Sequence, residues 1–349
     1  MPGRTMMDVG RTVVVTGASA GVGRATARRF ARAGANVALV ARDAESLRET
    51  VAELEAIGAK AIGIPADVAD AEAVFTAARQ AEERLGPIEV WVNNAMATVF
   101  APFSDVSPEE FRRVTEVTYL GYVHGTMAAL RYMRMRDRGV IVQVGSALAY
   151  RAIPLQSAYC GAKHAIRGFT DSLRSELLYE GSNIRLTMVQ LPAVNTPQFD
   201  WARTHLDRQP RPVPPVVQPE AAAAAIFSAA HQRQREVWLG FSTIKVILGN
   251  LVVPGYLDRY LARHAYDAQQ TSRALQPARR DNLDAPVSEL HRTRGSFDAE
   301  ANAFAQAISG DTARWGAAIL LSSLVAAGSW LVAQRVTGNS LRRRRSKRR

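Results

Sequence analysis

The stretch Tyr159-Cys160-Gly161-Ala162-Lys163 carries a phenol and an ammonium four residues apart. On a helix this spacing puts both groups on one face. A free tyrosine titrates near about 10, too high for ready proton exchange at neutral pH, and a neighbouring ammonium lowers that value by favouring the phenolate. The pair is then a tunable acid/base for a hydroxyl or a carbonyl. Ser146 stands thirteen residues before the tyrosine, at the end of an apolar run, where its hydroxyl can hydrogen-bond a substrate oxygen. Taken singly, each residue also fits an ordinary amphipathic helix or strand end. The combination with a second motif makes the case.

That motif is the turn Thr16-Gly17-Ala18-Ser19-Ala20-Gly21-Val22-Gly23, placed after the first apolar run and before the helical pattern RATARRFARAGA. Glycines permit a tight turn and close approach of the backbone to a pyrophosphate, and the helix N-terminus supplies free N–H groups. Gly17, Ser19, Ala20, Gly21, Val22 and Gly23 are therefore candidate cofactor-binding residues. At the end of the second run, Ala41 stands where a carboxylate would accept hydrogen bonds from a ribose 2′-hydroxyl, and Arg42 follows it. A guanidinium suits a 2′-phosphate, so NADP(H) is expected in preference to NAD(H). Asp67 closes the third run, placed either to face an adenine amino group or to cap the next helix.

The elements that must position these groups are legible as apolar runs at 12–16, 36–41, 60–67, 88–94, 139–146 and 184–192, with a seventh at 236–240. Their apolar residues are continuous rather than alternating, which suits strands buried on both faces. Long helical patterns separate them, so the expected fold is α/β, a three-layer doubly wound parallel sheet of about seven strands. Six prolines between 195 and 219 predict a long irregular segment, either a substrate lid or a surface excursion. We divide the chain into an N-terminal tail (1–8), a catalytic domain (9–240), a C-terminal extension (241–312), an apolar helix (313–335) and a basic tail (336–349).

The chain resembles the short-chain dehydrogenase/reductases. The resemblance is carried by TGASAGVG at 16–23, Asp67-Val68, NNAM at 93–96, Ser146, Tyr159 with Lys163, and LPAVNTP at 191–197, six motifs in order across roughly residues 9–240. It implies a Rossmann fold and hydride transfer between a nicotinamide and a carbonyl or alcohol. By position, Tyr159 is the acid/base, Ser146 orients the substrate oxygen, and Lys163 binds the nicotinamide ribose and lowers the tyrosine pKa. Asn94 falls beside the adenosine ribose and Thr196 near the carboxamide, and Val68, Ala95, Pro192 and Val194 are further cofactor-binding candidates. The resemblance also implies homodimers or homotetramers through the long helices. Three residues depart from the family pattern: Met96 replaces a glycine, Ala193 replaces another, and Thr118 stands where a helical asparagine completes the catalytic tetrad by holding a water in the proton relay.

Composition narrows the classes further. The formal net charge is +12, and eight basic residues without an acid lie between Arg335 and Arg349, leaving +4 on the other 334 residues. The run from Trp315 to Ala333 has no charged residue, and its nineteen residues match the thickness of a bilayer core at about 1.5 Å each. A membrane-attached helix with its basic tail at anionic headgroups is the expectation, with the catalytic domain facing the cytoplasm. The N-terminus has no signal-peptide layout. The single cysteine, Cys160, excludes a disulfide framework and a cysteine-rich metal site, and no metal is expected.

These observations predict an NADP(H)-dependent oxidoreductase acting on a small-molecule, lipophilic carbonyl or alcohol. The alternative is a Rossmann nucleotide-binding scaffold at a membrane with little or no turnover, favoured by Thr118 and Met96. A nucleic-acid binder needs basic and aromatic residues interleaved on a folded surface; the arginines here follow an apolar span, so no nucleic acid is expected. Pocket shape is assigned to 95–105, 147–158 and 193–218.

Overall fold

The computed structural model describes residues 8–276, 279–319, 322, 323 and 330. Strands β1 (Thr12–Thr16), β2 (Asn36–Ala41), β3 (Ala61–Pro65), β4 (Ile88–Asn93), β5 (Val140–Ser146), β6 (Arg185–Leu191) and β7 (Glu236–Leu239) run parallel in one sheet. An eighth strand, β8 (Ala307–Ser309), lies antiparallel on β7. The order is β8-β7-β6-β5-β4-β1-β2-β3. The sheet is thus one strand wider than the expected seven, because a three-residue edge strand is too short to leave a pattern in sequence.

Each inner strand is valine- and isoleucine-rich and buried on both faces. Val13 and Val15 enter one apolar cluster, with Phe30, Leu47 and Ala222, while Val14 enters the other, with Val74, Trp91 and Ile141. Helices α1 (Gly21–Ala31), α2 (Ala44–Glu55) and α7 (Pro219–His231) supply the first cluster. Helices α3 (Ala71–Leu85), α5 (Gly121–Arg136) and α6 (Ser157–Tyr179) supply the second. Local signals agree with this arrangement: Asp43 and Asp70 cap α2 and α3 by accepting two backbone N–H groups each, and Ser107 with Glu110 forms a capping box on α4 (Pro108–Thr115). Strand order reverses at β1 and β4, so the C-terminal ends of these strands open a crevice, the usual ligand position in such sheets.

The proline-rich segment is folded rather than an excursion. It holds a short helix (Gln198–Trp201), and its strands pair with others: Arg203–Thr204 with Val99–Phe100, Arg208–Pro210 with Gln270–Ala274, and Val216–Val217 with both Ala193–Val194 and Ala301–Asn302. The C-terminal extension contributes α8 (Gly240–Val252), α9 (Pro254–His264), β8, and a stretch that returns over the crevice. A helix over 310–319 follows. Arg314 fastens it to the sheet edge through an ion pair with buried Glu236, which also accepts from Tyr150 Oη at 2.6 Å and Gln190 Nε2 at 2.7 Å. Among the described residues no helix is long and apolar enough to cross a membrane. Most of the expected span at 315–333, and the basic tail, lie outside the described residues.

Candidate active site

Two cavities meet over the C-terminal ends of the strands, with empty volumes of about 950 and 1310 Å³, and share Val22, Asn94, Met96, Thr196 and Gln198 as walls. The first is lined by the glycine turn (Gly17, Ser19, Ala20, Gly21, Val22) and by Arg42, Asp67, Val68 and Ala95. The second is lined by Ser146, Tyr159, Lys163, Pro192 and Val194. The two motifs read from sequence thus converge on one cleft, and only Gly23 and Thr118 of the candidate residues line neither cavity.

The turn is shaped as a phosphate cradle requires. Gly17 has φ +64°, and a Cβ there would lie 2.8 Å from the Ala95 backbone. Gly23 packs rather than binds: its Cβ would fall 2.0 Å from the Gly17 carbonyl oxygen, so only glycine lets α1 close on the turn. Asn94 braces the same loop, donating from Nδ2 to the Thr16 and Gly17 carbonyls at 3.0 and 3.3 Å. These close approaches fit a nicotinamide dinucleotide, whose pyrophosphate needs bare backbone beneath it.

In the second cavity, α6 presents Tyr159 and Lys163 on one face beside Ser146 at the end of β5. The Lys163 ammonium is buried and donates to Tyr122 Oη at 3.1 Å and the Val144 carbonyl at 2.9 Å. Burial lowers its pKa to about 7. The expected lowering of the Tyr159 pKa is corrected here. In the protein alone burial pushes the phenol upward, and its hydrogen bond with Ser146 acts against that rise. The ammonium lies 5.6 Å from the Tyr159 ring centre, and burial weakens its own charge. Tyr122, absent from the sequence reading, is the group that holds the lysine.

Three other expectations change. Thr118 sits in a π turn (Glu116–Leu120), a device common at functional sites, but its hydroxyl is closed onto Ala97, accepting from the amide at 2.9 Å and donating to the carbonyl at 2.8 Å. With its hydroxyl so engaged, Thr118 is not a partner of Lys163, which bonds Tyr122 and Val144 instead. Arg42 lines the first cavity, yet its guanidinium donates to the backbone carbonyls of Leu283 and Asp284 at 3.1 Å each, and to Asn282. Asp67 pairs with Arg113 and accepts from the Ala69 amide, while still lining the cavity. Trp201 of the first cavity falls within the expected 193–218 segment, but sequence reasoning missed Asn282, Val287 and His291 there. These last three lie some 240 residues beyond Arg42 in a polar stretch with no periodicity, so no local signal marked them.

A family model described as short chain dehydrogenase matches residues 11–206. The chain is 34% identical over 269 residues to an uncharacterized oxidoreductase of Bacillus subtilis, covering 76% of each chain. Its fold is similar to a short chain dehydrogenase/reductase from Burkholderia phymatum in complex with NAD (TM-score 0.64, 24% identity, 73% of this chain and 96% of that one). It is also similar to a metagenomic short-chain oxidoreductase in complex with NADP (TM-score 0.56, 26% identity, 66% and 96%).

Proposed function

Because the chain belongs to the short-chain dehydrogenase family, we propose that it is a nicotinamide-dependent oxidoreductase interconverting an alcohol and a carbonyl, with NADP(H) preferred. The observation that carries this is that the glycine cradle and the Ser146–Tyr159–Lys163 cluster line adjoining cavities with common walls. The dinucleotide, when bound, supplies or accepts the hydride. Gly17 and Gly21 would give it close backbone approach, and Arg42, a wall of the same cavity, would bind a 2′-phosphate. Arg42 retains its Nε–H and one Nη2–H, enough for a bidentate fork on a 2′-phosphate. Asp43 also lines this cavity: its Oδ1 caps α2, and its Oδ2 lies 3.6 Å from His291 Nδ1.

Ser146 orients the substrate oxygen, and Tyr159 Oη gives or takes its proton. Lys163, held by Tyr122 and Val144, stabilises the phenolate once a bound ligand adds to its surroundings. The second cavity is walled by Leu148, Ile153, Phe199, Val213, Val246 and Leu261, which supports a lipophilic substrate. The test is NADPH oxidation with ketones and aldehydes of increasing chain length. Tyr159→Phe is expected to lose turnover by about 10²–10⁴-fold. Equal turnover in the variant would leave only the scaffold reading.

The uncharged run at 315–333 with its basic tail supports attachment to an anionic membrane surface with the catalytic domain on the cytoplasmic side. Co-sedimentation of the full chain with phosphatidylserine vesicles, lost in high salt when the tail is removed, tests it. Exposed Met127 and Met135 on α5, with Leu178 and Tyr179 at the end of α6, support a dimer or tetramer through the long helices. Light scattering of the purified chain distinguishes these from a monomer.

A further inference from the structure

We propose that residues 282–297, within the C-terminal extension, are a strap that forms the outer wall of the dinucleotide site and retains the bound cofactor. The strap crosses the first cavity from the end of β2 to the loop after β6. At one end the carbonyls of Asn282, Leu283 and Asp284 hold the Arg42 guanidinium, and Arg113 Nε donates to Leu283 O at 3.2 Å. In the middle it lies on the phosphate turn: Gly21 N donates to Arg292 O at 3.0 Å, and Arg24 Nη1 to His291 O at 3.1 Å. At the far end Gly295 N donates to Asn195 O at 3.1 Å, and Phe297 N to Asn195 Oδ1 at 3.0 Å.

Between these anchors the strap faces the cavity with Val287 and His291. The His291 ring stands 5.0 Å from that of Trp201, also a wall of the cavity, so an apolar and aromatic lining opposes the glycine turn. A ligand in this cavity lies between the glycine turn and the strap, which already meet at Gly21 N and Arg292 O. Besides these hydrogen bonds the strap is seated by buried Leu283 and Phe297 and by ion pairs of Asp284 with Arg203 and of Arg292 with Asp200, so lifting it breaks apolar and ionic contacts together. A cofactor seated in this cavity is held while the strap is down, and its release is slowed by the contacts that seat the strap. The strap also fixes the Arg42 guanidinium through three carbonyls, leaving its Nε–H and one Nη2–H as donors.

This inference rests on the dinucleotide reading above, and one experiment separates their failures. The full chain is loaded with NADPH and chased with excess NADP⁺ while NADPH fluorescence is followed. Wild-type protein that takes up no NADPH contradicts the dinucleotide reading itself. Given uptake, Gly295→Val is the informative variant, because a Cβ there would lie 2.4 Å from Thr196 O and force the strap off its seat. Its release rate is expected to rise about tenfold, with affinity falling in step. An unchanged or slower release overturns the strap. Should that variant fail to fold, trypsin cleavage of the wild type after Arg292 and Arg294 gives a second readout. NADPH is expected to slow it about tenfold by holding the strap closed. Cleavage indifferent to NADPH overturns the proposal.

Discussion

The Lys163 ammonium lies 3.1 Å from the hydroxyl of Tyr122, one helical turn beyond Thr118. Tyr122 in turn donates to Val144 O at 2.8 Å, so one buried carbonyl receives both groups. A buried ammonium needs acceptors for its protons, and here a tyrosine supplies one that Thr118, closed onto Ala97, does not. Tyr122→Phe keeps the ring in its pocket and removes that acceptor. We expect kcat to fall about tenfold, near the effect of one lost hydrogen bond to a charged group, with the cofactor Kd changing less than about twofold. Steady-state kinetics beside fluorescence binding checks both. A variant with wild-type kcat contradicts the role.

Lys163 also sets a sign for stability against pH. Burial lowers its pKa to about 7 from the ordinary 10.5. Between those values the unfolded chain binds a proton that the folded chain has released, so stability rises with pH across that window. Below about pH 7 both states carry the proton and the burial penalty is fully present. Lys163→Met removes the titration. The difference in Tm between wild type and variant is expected to move in favour of wild type from pH 7 to pH 9.5. A difference that does not vary with pH would show that the lysine is not desolvated in solution.

Much of this site was legible because its parts repeat strong local rules. The runs ending at Thr16, Asn93 and Ser146 are strands, and the glycine turn and Tyr159–Lys163 sit where a strand–turn–helix and a long helix put them. What stayed hidden depends on backbone atoms or on distance. The contacts on Arg42 come from main-chain carbonyls, which any residue type at 282–284 would offer. Strand β8 has three residues, and the family resemblance that put Thr118 at the relay position does not show that its hydroxyl turns to Ala97. The prolines at 195–219 suggested irregularity correctly in composition, but the pairing partners at 270–274 and 301–302 are too remote to read.

Arg42 is the residue on which cofactor choice depends. Arg42→Ala removes the fork left for a 2′-phosphate and also loosens the strap. NADPH affinity is expected to fall about 10–100-fold, the range for charge-assisted hydrogen bonds of about 1.5–3 kcal/mol, and NADH affinity to fall much less. Parallel titrations of the variant with both dinucleotides decide this. Equal losses would assign Arg42 to the strap alone.

At the sheet edge, Glu236 is 3% exposed and depends on Arg314 for its counter-charge. Arg314→Ala leaves the carboxylate buried with only Tyr150 and Gln190 as donors. A loss of about 3 kcal/mol is expected in urea unfolding, at the lower end for breaking a buried pair because Arg314 is partly exposed. The Glu236→Gln, Arg314→Ala double variant should recover part of it. A single variant as stable as wild type would show that the 310–319 helix does not rest on this pair.

The central claim is that the cleft between the glycine turn and Tyr159 takes a nicotinamide dinucleotide. Trp201 lines that cleft, so energy transfer from tryptophan to bound NADPH reports occupancy directly. The measurement is a titration of the full chain with NADPH and, in parallel, with NADH. The account predicts saturable transfer at one NADPH per chain, with NADH binding about tenfold more weakly or less, as expected for one charge-assisted contact. Saturation by neither dinucleotide would contradict it.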